Sequence, residues 1–567
     1  MQLRKRSTIE TQERIQLWLK EPFDEATHAE IRDLQQNNPS LLNEAFYTQL
    51  EFGTGGMRGL MGVGTNRMNR YTIQMATQGL CNYLLKTLQE KEFRVAIGYD
   101  NRHHSKEFAH EAASVLAGNG MHVYLFDSLH PTPLVSFACR HYHCHAAIMI
   151  TASHNPKAYN GYKVYWSDGA QVIAPHDKGI IQEVNAISTP SSVRLLKFPN
   201  SLIHFIGKEL DQVYLKTINT LQLNASLNAR KGPSLKIVYT SLHGTGIPLL
   251  PQMLKEWGFT QLELVDSQCI PDGDFPTVTS PNPENVKTLE MGIEKLLEID
   301  GDILIANDPD ADRAALVVRD LDGIRLLTGS QIATLCTAHI LKMLSEQGRL
   351  PPNGYIVKSF VTTPLMKAIA EEYKIPCFDV PTGFKYIAQV IREQSELCFI
   401  FGAEESYGYL LGAQTRDKDG ISVGALFAEM ALVAKENGKT LYQELLDIFK
   451  KYGVYREKLL SISFEETQKG REQIESAIKK MHLHTPKELL GTKVTHIEDQ
   501  SGVLSLHLAD KSLLHIRASG TEPIIKIYAS VYCAHPEGTN TLDLIEHCDT
   551  LCDGYLTLLK QILTNNF

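Results

Sequence analysis

Three aspartates in alternate positions form the clearest chemical pattern in the sequence. Asp308, Asp310 and Asp312 lie between two apolar runs that predict strands, and Arg313 follows them directly. Carboxylates two residues apart repel each other unless a cation lies between them, and such oxygen ligands suit Mg²⁺ or Ca²⁺. A calcium EF-hand loop needs a glycine at position six and a glutamate at position twelve, and both are missing. The pattern therefore predicts a hard-cation site, with Arg313 able to hold a phosphoryl oxygen. A solvated acidic turn is the alternative, which the flanking buried strands disfavour.

A serine follows another apolar run, in the segment His145-Ala-Ala-Ile-Met-Ile-Thr-Ala-Ser-His-Asn-Pro156. The run predicts a buried strand, and Pro156 can continue neither strand nor helix. Ser153 therefore lies on a turn past the carboxyl end of a strand, where open α/β sheets hold their ligands. Taken alone, the pattern is more typical of an ordinary turn capped by Ser153 and Asn155, and the loops later in the chain change this interpretation.

Two later loops could bind a sugar phosphate. In Phe399-Ile-Phe-Gly-Ala-Glu-Glu-Ser-Tyr-Gly408, Glu404 and Ser406 could accept from and donate to sugar hydroxyls. The loop His515-Ile-Arg-Ala-Ser-Gly-Thr-Glu-Pro523 combines a guanidinium fork, two hydroxyls and free backbone N–H groups, contributed by Arg517, Ser519, Gly520 and Thr521. Together, a serine, a divalent metal, hydroxyl-binding groups and a phosphate nest predict a phosphoryl-transfer site.

A glycine-rich segment precedes all of these loops. Four glycines surround Arg58 in Phe52-Gly-Thr-Gly-Gly-Met-Arg-Gly59. Such a loop allows the backbone to approach a ligand closely, although a plain flexible connection would have the same composition.

The elements that position these loops repeat along the chain. A strand, a helix and a second strand follow one another within about thirty residues, which is the order of a βαβ unit with parallel strands. The three copies run over Arg94 to Asp127, Leu235 to Asp266 and Gly354 to Val380. They predict an α/β protein with three similar domains.

The C-terminal region has a different pattern. Residues Val503 to Leu508 alternate between apolar and polar types, further strands follow, and Leu542 to Ile562 predicts a helix. This order is typical of an α+β domain with an antiparallel sheet. The region before Leu50 is polar and predicted helical, with an apolar patch formed by Ile15, Leu17, Trp18 and Leu19. We therefore expect a helical extension (1–50), three α/β domains (51–205, 206–322 and 323–452) and an α+β domain (453–567).

The composition excludes several classes of protein. Of the 567 residues, 43% are hydrophobic and 21% charged, as in soluble globular proteins. The net charge of −9 argues against nucleic-acid binding as the main task. The N-terminus lacks the apolar core of a signal peptide, and no stretch is long enough to span a bilayer. The ten cysteines do not form a disulfide framework, so we expect a cytoplasmic protein without membrane partners.

The four loops resemble the signature loops of the α-D-phosphohexomutase superfamily, in the same order. The matching segments are Thr151-Ala-Ser-His-Asn-Pro156, Asp308-Pro-Asp-Ala-Asp-Arg313, Gly402-Ala-Glu-Glu-Ser406 and Arg517-Ala-Ser-Gly-Thr-Glu-Pro523. The resemblance covers about Phe52 to the C-terminus, and details such as Asn160-Gly-Tyr-Lys-Val-Tyr165 are most similar to the phosphoglucomutase-2 and phosphopentomutase branch. It implies four domains around a central active-site cleft.

The resemblance also implies roles for individual residues. Ser153 would carry a phosphoryl group and, with Asp308, Asp310 and Asp312, would bind Mg²⁺. The other implied catalytic residues are Lys163 and Lys385 near the reacting phosphate, His154 and Arg58. The implied substrate-binding residues are Arg313, Glu404, Ser406, Arg517, Ser519, Gly520 and Thr521.

The implied reaction is an intramolecular phosphoryl transfer between a sugar 1-phosphate and its 6-phosphate, with glucose as the first choice. A sugar bisphosphate, glucose 1,6-bisphosphate, would be intermediate and activator, and the protein would be a monomer or a small homo-oligomer. Ala403 and Tyr407 depart from the sugar-loop pattern of many relatives, so phosphomannomutase and phosphopentomutase activities stay open. A metal-dependent phosphatase and a non-catalytic sugar-phosphate sensor are alternatives from other functional classes.

Overall fold

The computed structural model describes residues 2–52, 56–465, 468–500, 502–519 and 523–564. They form two compact units, and the chain passes between the units several times. The first unit comprises Met1–Gln222, Ala229–Ala315 and Leu410–Ala425, and the second comprises Leu223–Asn228, Leu316–Tyr409 and Leu426–Phe567.

The first part of the chain forms a mixed sheet covered by helices. Its elements are α1 (Gln2–Trp18), α2 (Glu25–Asn37), α3 (Pro39–Phe46), β1 (Gly56–Leu60), α4 (Arg70–Thr87), β2 (Arg94–Tyr99), α5 (Ser105–Gly118), β3 (His122–Phe126), α6 (Thr132–His141), β4 (Ala146–Ile150), β5 (Tyr159–Trp166), α7 (His176–Asn185), β6 (Ile203–Ile206) and α8 (Lys208–Asn219). The strand order is β1-β5-β4-β2-β3-β6. Strands β4, β2, β3 and β6 are parallel, whereas β5 is antiparallel to β4 and β1. All residues of β4 are buried, as its apolar run predicts.

The N-terminal helices have a small core of their own, which extends onto the first sheet domain. Trp18 stacks on Phe23, with ring centroids 4.3 Å apart, and contacts Tyr71 of α4 edge to face. Ile15 is buried in the same cluster. The prediction that Leu17 belongs to the apolar patch is wrong: its side chain is 45% exposed, because the helical period turns it away from Ile15 and Trp18.

The remaining elements follow in chain order. They are α9 (Ala225–Lys231), β7 (Lys236–Thr240), α10 (Leu250–Glu256), β8 (Gln261–Leu264), α11 (Val286–Glu298), β9 (Ile303–Asn307), β10 (Ala314–Asp320), β11 (Gly323–Leu326), α12 (Gly329–Glu346), β12 (Gly354–Ser359), α13 (Leu365–Glu372), β13 (Cys377–Val380), α14 (Phe384–Glu393), β14 (Cys398–Glu404), β15 (Gly408–Leu411), α15 (Gly420–Glu436), α16 (Leu441–Tyr452), β16 (Val454–Ser463), α17 (Gln468–Leu483), β17 (Glu488–Leu489), β18 (Thr492–Gln500), β19 (Val503–Leu508), β20 (Leu513–Ala518), β21 (Ile524–Cys533) and α18 (Thr541–Thr564).

These elements confirm the predicted fold class. Strand β7 is parallel to β8 and β9, and the hairpin β10–β11 that follows is antiparallel. Strand β12 is parallel to β13 and β14, with β15 at the edge of that sheet. The C-terminal sheet has the order β16-β21-β20-β19-β18-β17 and antiparallel pairing. Three α/β domains and one α+β domain are therefore present, while the domain limits and the central cleft stay predictions.

Candidate functional site

The turn after β4 holds Ser153 in an unusual backbone conformation. Its φ of 50° lies in the left-handed region, which residues other than glycine rarely adopt. The Ser153 N–H donates to Thr151 Oγ1 at 2.8 Å. Its hydroxyl donates to Asp308 Oδ2 at 2.7 Å and lies 3.2 Å from His154 Nδ1. The fold thus brings the serine loop and the aspartate loop of the first unit into direct contact.

The three aspartates converge in the loop between β9 and β10. They are buried, and one carboxylate oxygen of each lies within 4.8 Å of the others. Lys163 Nζ on β5 donates to Asp310 Oδ2 at 2.7 Å and to Asp312 Oδ2 at 3.2 Å. The Thr132 hydroxyl also donates to Asp310 Oδ2, at 2.8 Å. This cluster balances part of its negative charge with a buried ammonium group.

Burial and neighbouring charges shift the pKa values within the cluster in different directions. Burial and the charges of Asp310 and Asp312 raise the pKa of Asp308 well above its usual range. Burial also disfavours the charged form of Asp310, but the charge and hydrogen bond of Lys163 hold the pKa of Asp310 below its usual value. Burial opposes the charge on Lys163 as well, yet Asp310 and Asp312 raise the pKa of that lysine. Lys163 is therefore an ammonium group at neutral pH.

The cluster fits a hard divalent cation. Asp310 Oδ1 and Asp312 Oδ1 are buried and have no hydrogen-bond partner within the described part of the chain. Buried carboxylate oxygens without partners are costly, and a bound cation would remove that cost. Three convergent carboxylates match the all-oxygen ligand sets of Mg²⁺ and Ca²⁺.

Three further predicted residues lie around the serine and aspartate loops. Arg58 on β1 donates to Asn155 Oδ1 at 2.8 Å. Arg313 pairs with Glu284 at 2.8 Å. Burial and the positive charges of Arg313 and Arg58 lower the pKa of His154, so its imidazole is neutral. Of these three residues, His154 contacts the Ser153 hydroxyl, whereas Arg58 contacts Asn155 and Arg313 pairs with Glu284.

The glycine-rich segment is only partly the loop that its composition predicts. Residues 53–55 lie outside the described residues, but Gly56 onwards forms β1, which pairs with β5. Gly56 has a φ of 145°, and a Cβ there would lie 1.9 Å from the carbonyl oxygen of Tyr162. Glycine is required here because two backbones approach closely, and this approach fixes the position of Arg58.

The aspartate cluster contains a second lysine that the sequence analysis missed. Lys418 Nζ lies 3.1 Å from Asp312 Oδ2 and 3.3 Å from Asp417 Oδ1. Asp417 also accepts a hydrogen bond from the Tyr165 hydroxyl at 2.9 Å. The run Asp417-Lys418-Asp419 has the composition of a solvated turn, but its position just before the apolar helix α15 is a signal of burial.

The second unit contains the predicted sugar-binding residues. Glu404 ends β14, is buried, and accepts a hydrogen bond from the Gly383 N–H at 2.7 Å. Ser406 lies half-buried in the turn that follows. Lys385, in the first turn of α14, has its Nζ 5.1 Å from the ring centroid of Tyr386.

The predicted phosphate-binding arginine lies at the end of β20, in the same unit. Arg517 Cζ lies 5.9 Å from the ring centroid of Tyr528, and Arg517 Nε is buried without a hydrogen-bond partner among the residues described. Burial, followed by the charge of Glu405, raises the pKa of Tyr528 to about 12, with a smaller contribution from Glu404. The charge of Arg517 acts in the opposite direction and lowers the pKa of Tyr528. The Ser519 N–H donates to the Ile524 carbonyl at 2.8 Å, whereas Gly520 and Thr521 lie outside the described residues.

Comparison with known proteins connects the chain to one family. Three sequence models match, described as phosphoglucomutase/phosphomannomutase alpha/beta/alpha domains I, II and III. They cover residues 49–191, 212–323 and 328–452. The chain belongs to the phosphoglucomutase/phosphomannomutase family. It is therefore a phosphosugar mutase, an isomerase of carbohydrate metabolism.

Individual family members agree with this assignment. A phosphoglucomutase from Staphylococcus epidermidis RP62A is 38% identical over 531 residues, covering 89% of this chain and 95% of the relative. A phosphoglucomutase from Staphylococcus aureus MRSA252 is 36% identical over 546 residues, with 91% and 95% covered. The open form of parafusin, a phosphoglucomutase from Paramecium, shares the fold with a TM-score of 0.69 at 18% identity, with 91% of this chain and 96% of that chain covered. In the present chain, no helix among the described residues has the length and apolar character needed to cross a membrane.

Proposed function

We propose that the protein interconverts glucose 1-phosphate and glucose 6-phosphate through a phosphorylated Ser153 and glucose 1,6-bisphosphate. The observation that supports this most directly is the contact between the Ser153 hydroxyl and Asp308 within a cluster of three buried aspartates and Lys163. A serine hydroxyl is a weak nucleophile unless a neighbouring group accepts its proton. Asp308 Oδ2 accepts its hydrogen bond and is therefore placed to accept the proton.

The proposed reaction has two transfers. In the first, the P–O bond to phosphorylated Ser153 breaks, a sugar hydroxyl forms the new O–P bond, and a proton moves from that hydroxyl to the serine oxygen. The bisphosphate then presents its other phosphate. The Ser153 oxygen forms an O–P bond to it, the bond to the sugar oxygen breaks, and the serine proton passes by way of Asp308 to that sugar oxygen. Isomerised sugar phosphate leaves and phosphoserine is restored.

The charges around Ser153 suit the two transfers. Because the pKa of Lys163 is raised, we assign Lys163 as a cation that stabilises negative charge and not as the general base. Neutral His154 can share a hydrogen bond with the serine oxygen. Arg58 and Arg313 would hold oxygens of the transferring phosphoryl group.

The aspartate cluster supports a role for Mg²⁺. We propose that Asp308, Asp310 and Asp312, together with the phosphate on Ser153, hold the ion. When bound, Mg²⁺ would neutralise charge on the phosphoryl group during its transfer.

Residues of the second unit are assigned to substrate recognition. We propose that Glu404 and Ser406 bind sugar hydroxyls, and that Lys385 contacts the reacting phosphate. The phosphate that is not reacting would be bound by Arg517, Ser519, Gly520 and Thr521. The buried Nε of Arg517 supports this role, because it has no hydrogen-bond partner among the residues that the structure describes. Glucose 1,6-bisphosphate would phosphorylate Ser153 again whenever its phosphate is lost. We propose a cytoplasmic enzyme that is a monomer or a small homo-oligomer.

The choice of glucose rests on relatives named phosphoglucomutase at 36–38% identity. The test is an assay panel of the 1-phosphates of glucose, mannose, glucosamine and ribose, each with a catalytic trace of the matching bisphosphate. We expect the highest kcat/KM for glucose 1-phosphate. A higher kcat/KM for ribose 1-phosphate would show that the preferred substrate is a pentose phosphate. Release of free phosphate without isomerised sugar would instead identify a phosphatase.

A further inference from the structure

The guanidinium of Arg102 contacts four backbone carbonyls of the loop that carries Ser153. Arg102 Nη2 donates to the carbonyl oxygens of Ser153 and Asn155, and Nη1 donates to those of Pro156 and Tyr159, both at 3.0 Å. The Arg102 side chain has no exposed surface. One buried side chain therefore organises the whole turn, and the sequence analysis did not single it out.

Arg102 is itself held on two sides. Asp100 Oδ2 lies 3.4 Å from Arg102 Nε, and Asp100 Oδ1 accepts the Arg102 backbone N–H at 3.0 Å. The Ser105 hydroxyl donates to the same Oδ1 at 2.6 Å. The buried ring of Phe275 has its centroid 5.1 Å from Arg102 Cζ, within the range of a cation–π contact. These contacts restrict the guanidinium to one orientation.

The conformation of Ser153 requires such support. A left-handed conformation is unfavourable for an L-residue and persists only where the surrounding structure enforces it. Thr151 Oγ1 fixes the Ser153 N–H, and Arg102 fixes the Ser153 carbonyl. With both peptide groups fixed, the hydroxyl points to Asp308.

We propose that Arg102 is a positioning residue that sets the reactive orientation of Ser153, an inference that rests on the proposed role of Ser153 as phosphoryl carrier. The guanidinium is a planar fork that reaches several acceptors at once, whereas the three donors of a lysine share one nitrogen atom. An Arg102→Lys variant keeps a positive charge beside Asp100 but cannot span the four carbonyls. A misplacement of about 1 Å at a reacting group can reduce the rate by about 100-fold.

The first test separates positioning from folding by comparing two buried arginines. Arg67 is the matched control: its side chain is 6% exposed, and it donates to Glu44 Oε1 at 3.2 Å and to the Asn66 carbonyl at 3.0 Å. For each lysine variant, kcat and KM are measured with glucose 1-phosphate. The kcat is calculated per mole of enzyme that can be phosphorylated. We expect Arg102→Lys to lower kcat by about 100-fold while KM changes by less than about threefold. Arg67→Lys should lower Tm and leave kcat unchanged.

Chemical rescue gives a second measurement. Millimolar guanidinium should raise the turnover of folded Arg102→Ala, because it can occupy the space of the missing fork, and should leave Ser153→Ala inactive. A normal kcat in Arg102→Lys, or no rescue of folded Arg102→Ala, would overturn the positioning role of Arg102. If wild-type Ser153 is still phosphorylated in that case, the proposed function stands. An unphosphorylated Ser153 in active wild-type enzyme would overturn both.

Discussion

The serine and aspartate loops of the first unit differ from the Arg517 region of the second in how their polar groups are paired. In the first, the Ser153 hydroxyl donates to Asp308 and Lys163 donates to Asp310, each through a hydrogen bond of 2.7 Å. In the second, Arg517 rests on a tyrosine ring with its buried Nε unpaired among the described residues. Buried charges need partners, and the proposed catalytic groups of the first unit have them in the absence of substrate. Arg517, the proposed phosphate-binding residue, instead has a donor that a phosphate oxygen could accept.

This comparison predicts the largest effect at Ser153. Ser153→Ala deletes the proposed phosphoryl carrier, so turnover should fall by about 10⁴-fold or more. Initial rates with glucose 1-phosphate measure it. Ser136→Ala is the control, because Ser136 is a buried serine of the same domain whose hydroxyl donates to the Gly169 carbonyl at 2.6 Å. Turnover of Ser153→Ala at a tenth of the wild-type rate would remove the serine from the mechanism.

The next largest effect is expected within the aspartate cluster. Asp310→Asn removes one negative oxygen from a hard-cation site and one partner of Lys163, so activity should fall by about 10²–10³-fold with an altered Mg²⁺ dependence. The measurement is initial rate against Mg²⁺ concentration. Asp302→Asn serves as control, since Asp302 directly precedes β9 and accepts the Lys236 N–H at 2.8 Å. A wild-type rate of Asp310→Asn at low Mg²⁺ would place the metal elsewhere.

A smaller effect is expected in the second unit. Arg517→Ala should lose about 2–4 kcal/mol of transition-state stabilisation in both reaction directions. It should also raise the share of phosphoenzyme lost to water, because the substrate is held less firmly. Lys511→Ala is the matched control, since Lys511 Nζ lies 5.3 Å from the ring centroid of Tyr532 on the same strand as Tyr528. The assay follows both directions together with free phosphate release. A defect in one direction alone would mean that Arg517 serves only one substrate orientation.

The smallest effect concerns stability and has opposite signs at two neighbouring aspartates. The pKa of Asp308 is raised, so its ionisation destabilises the metal-free fold above the ordinary aspartate pKa of about 4. Asp308→Asn should therefore stabilise the protein in EDTA at pH 7 by about 1 kcal/mol, and this gain should shrink as the pH falls toward 4. The pKa of Asp310 is lowered, so its charge stabilises the fold above pH 4, and Asp310→Asn should lower Tm. If Asp308→Asn and Asp310→Asn changed Tm in the same direction, the opposite effects assigned to the two aspartates would be wrong.

Much of the fold was predictable from local patterns. The apolar runs before Ser153 and Asp308 predicted β4 and β9, and every residue of both strands is buried. The aspartates were predicted to bind a cation because three carboxylates at alternate positions repel one another without one. Leu17 was misplaced, since a short apolar patch does not by itself define which face of a helix is buried.

The missed residues have partners that the sequence does not reveal. Arg102 binds backbone carbonyls more than fifty positions away, and a carbonyl group is the same in every residue type. Lys418 stands between two aspartates, a pattern typical of exposed turns, yet the fold places it against Asp312. Such contacts follow from tertiary structure, because only the crossing of distant loops creates them.

Ser153, whose hydroxyl donates to Asp308, is the proposed carrier of the phosphoryl group. The most direct measurement is intact-mass and peptide mass spectrometry of the wild-type protein after incubation with glucose 1,6-bisphosphate and Mg²⁺. We predict one phosphate per chain, located on Ser153, and its loss from the protein when unphosphorylated glucose is supplied in excess. An active enzyme whose Ser153 stays unmodified, or whose phosphate lies on another residue, would contradict this role of Ser153.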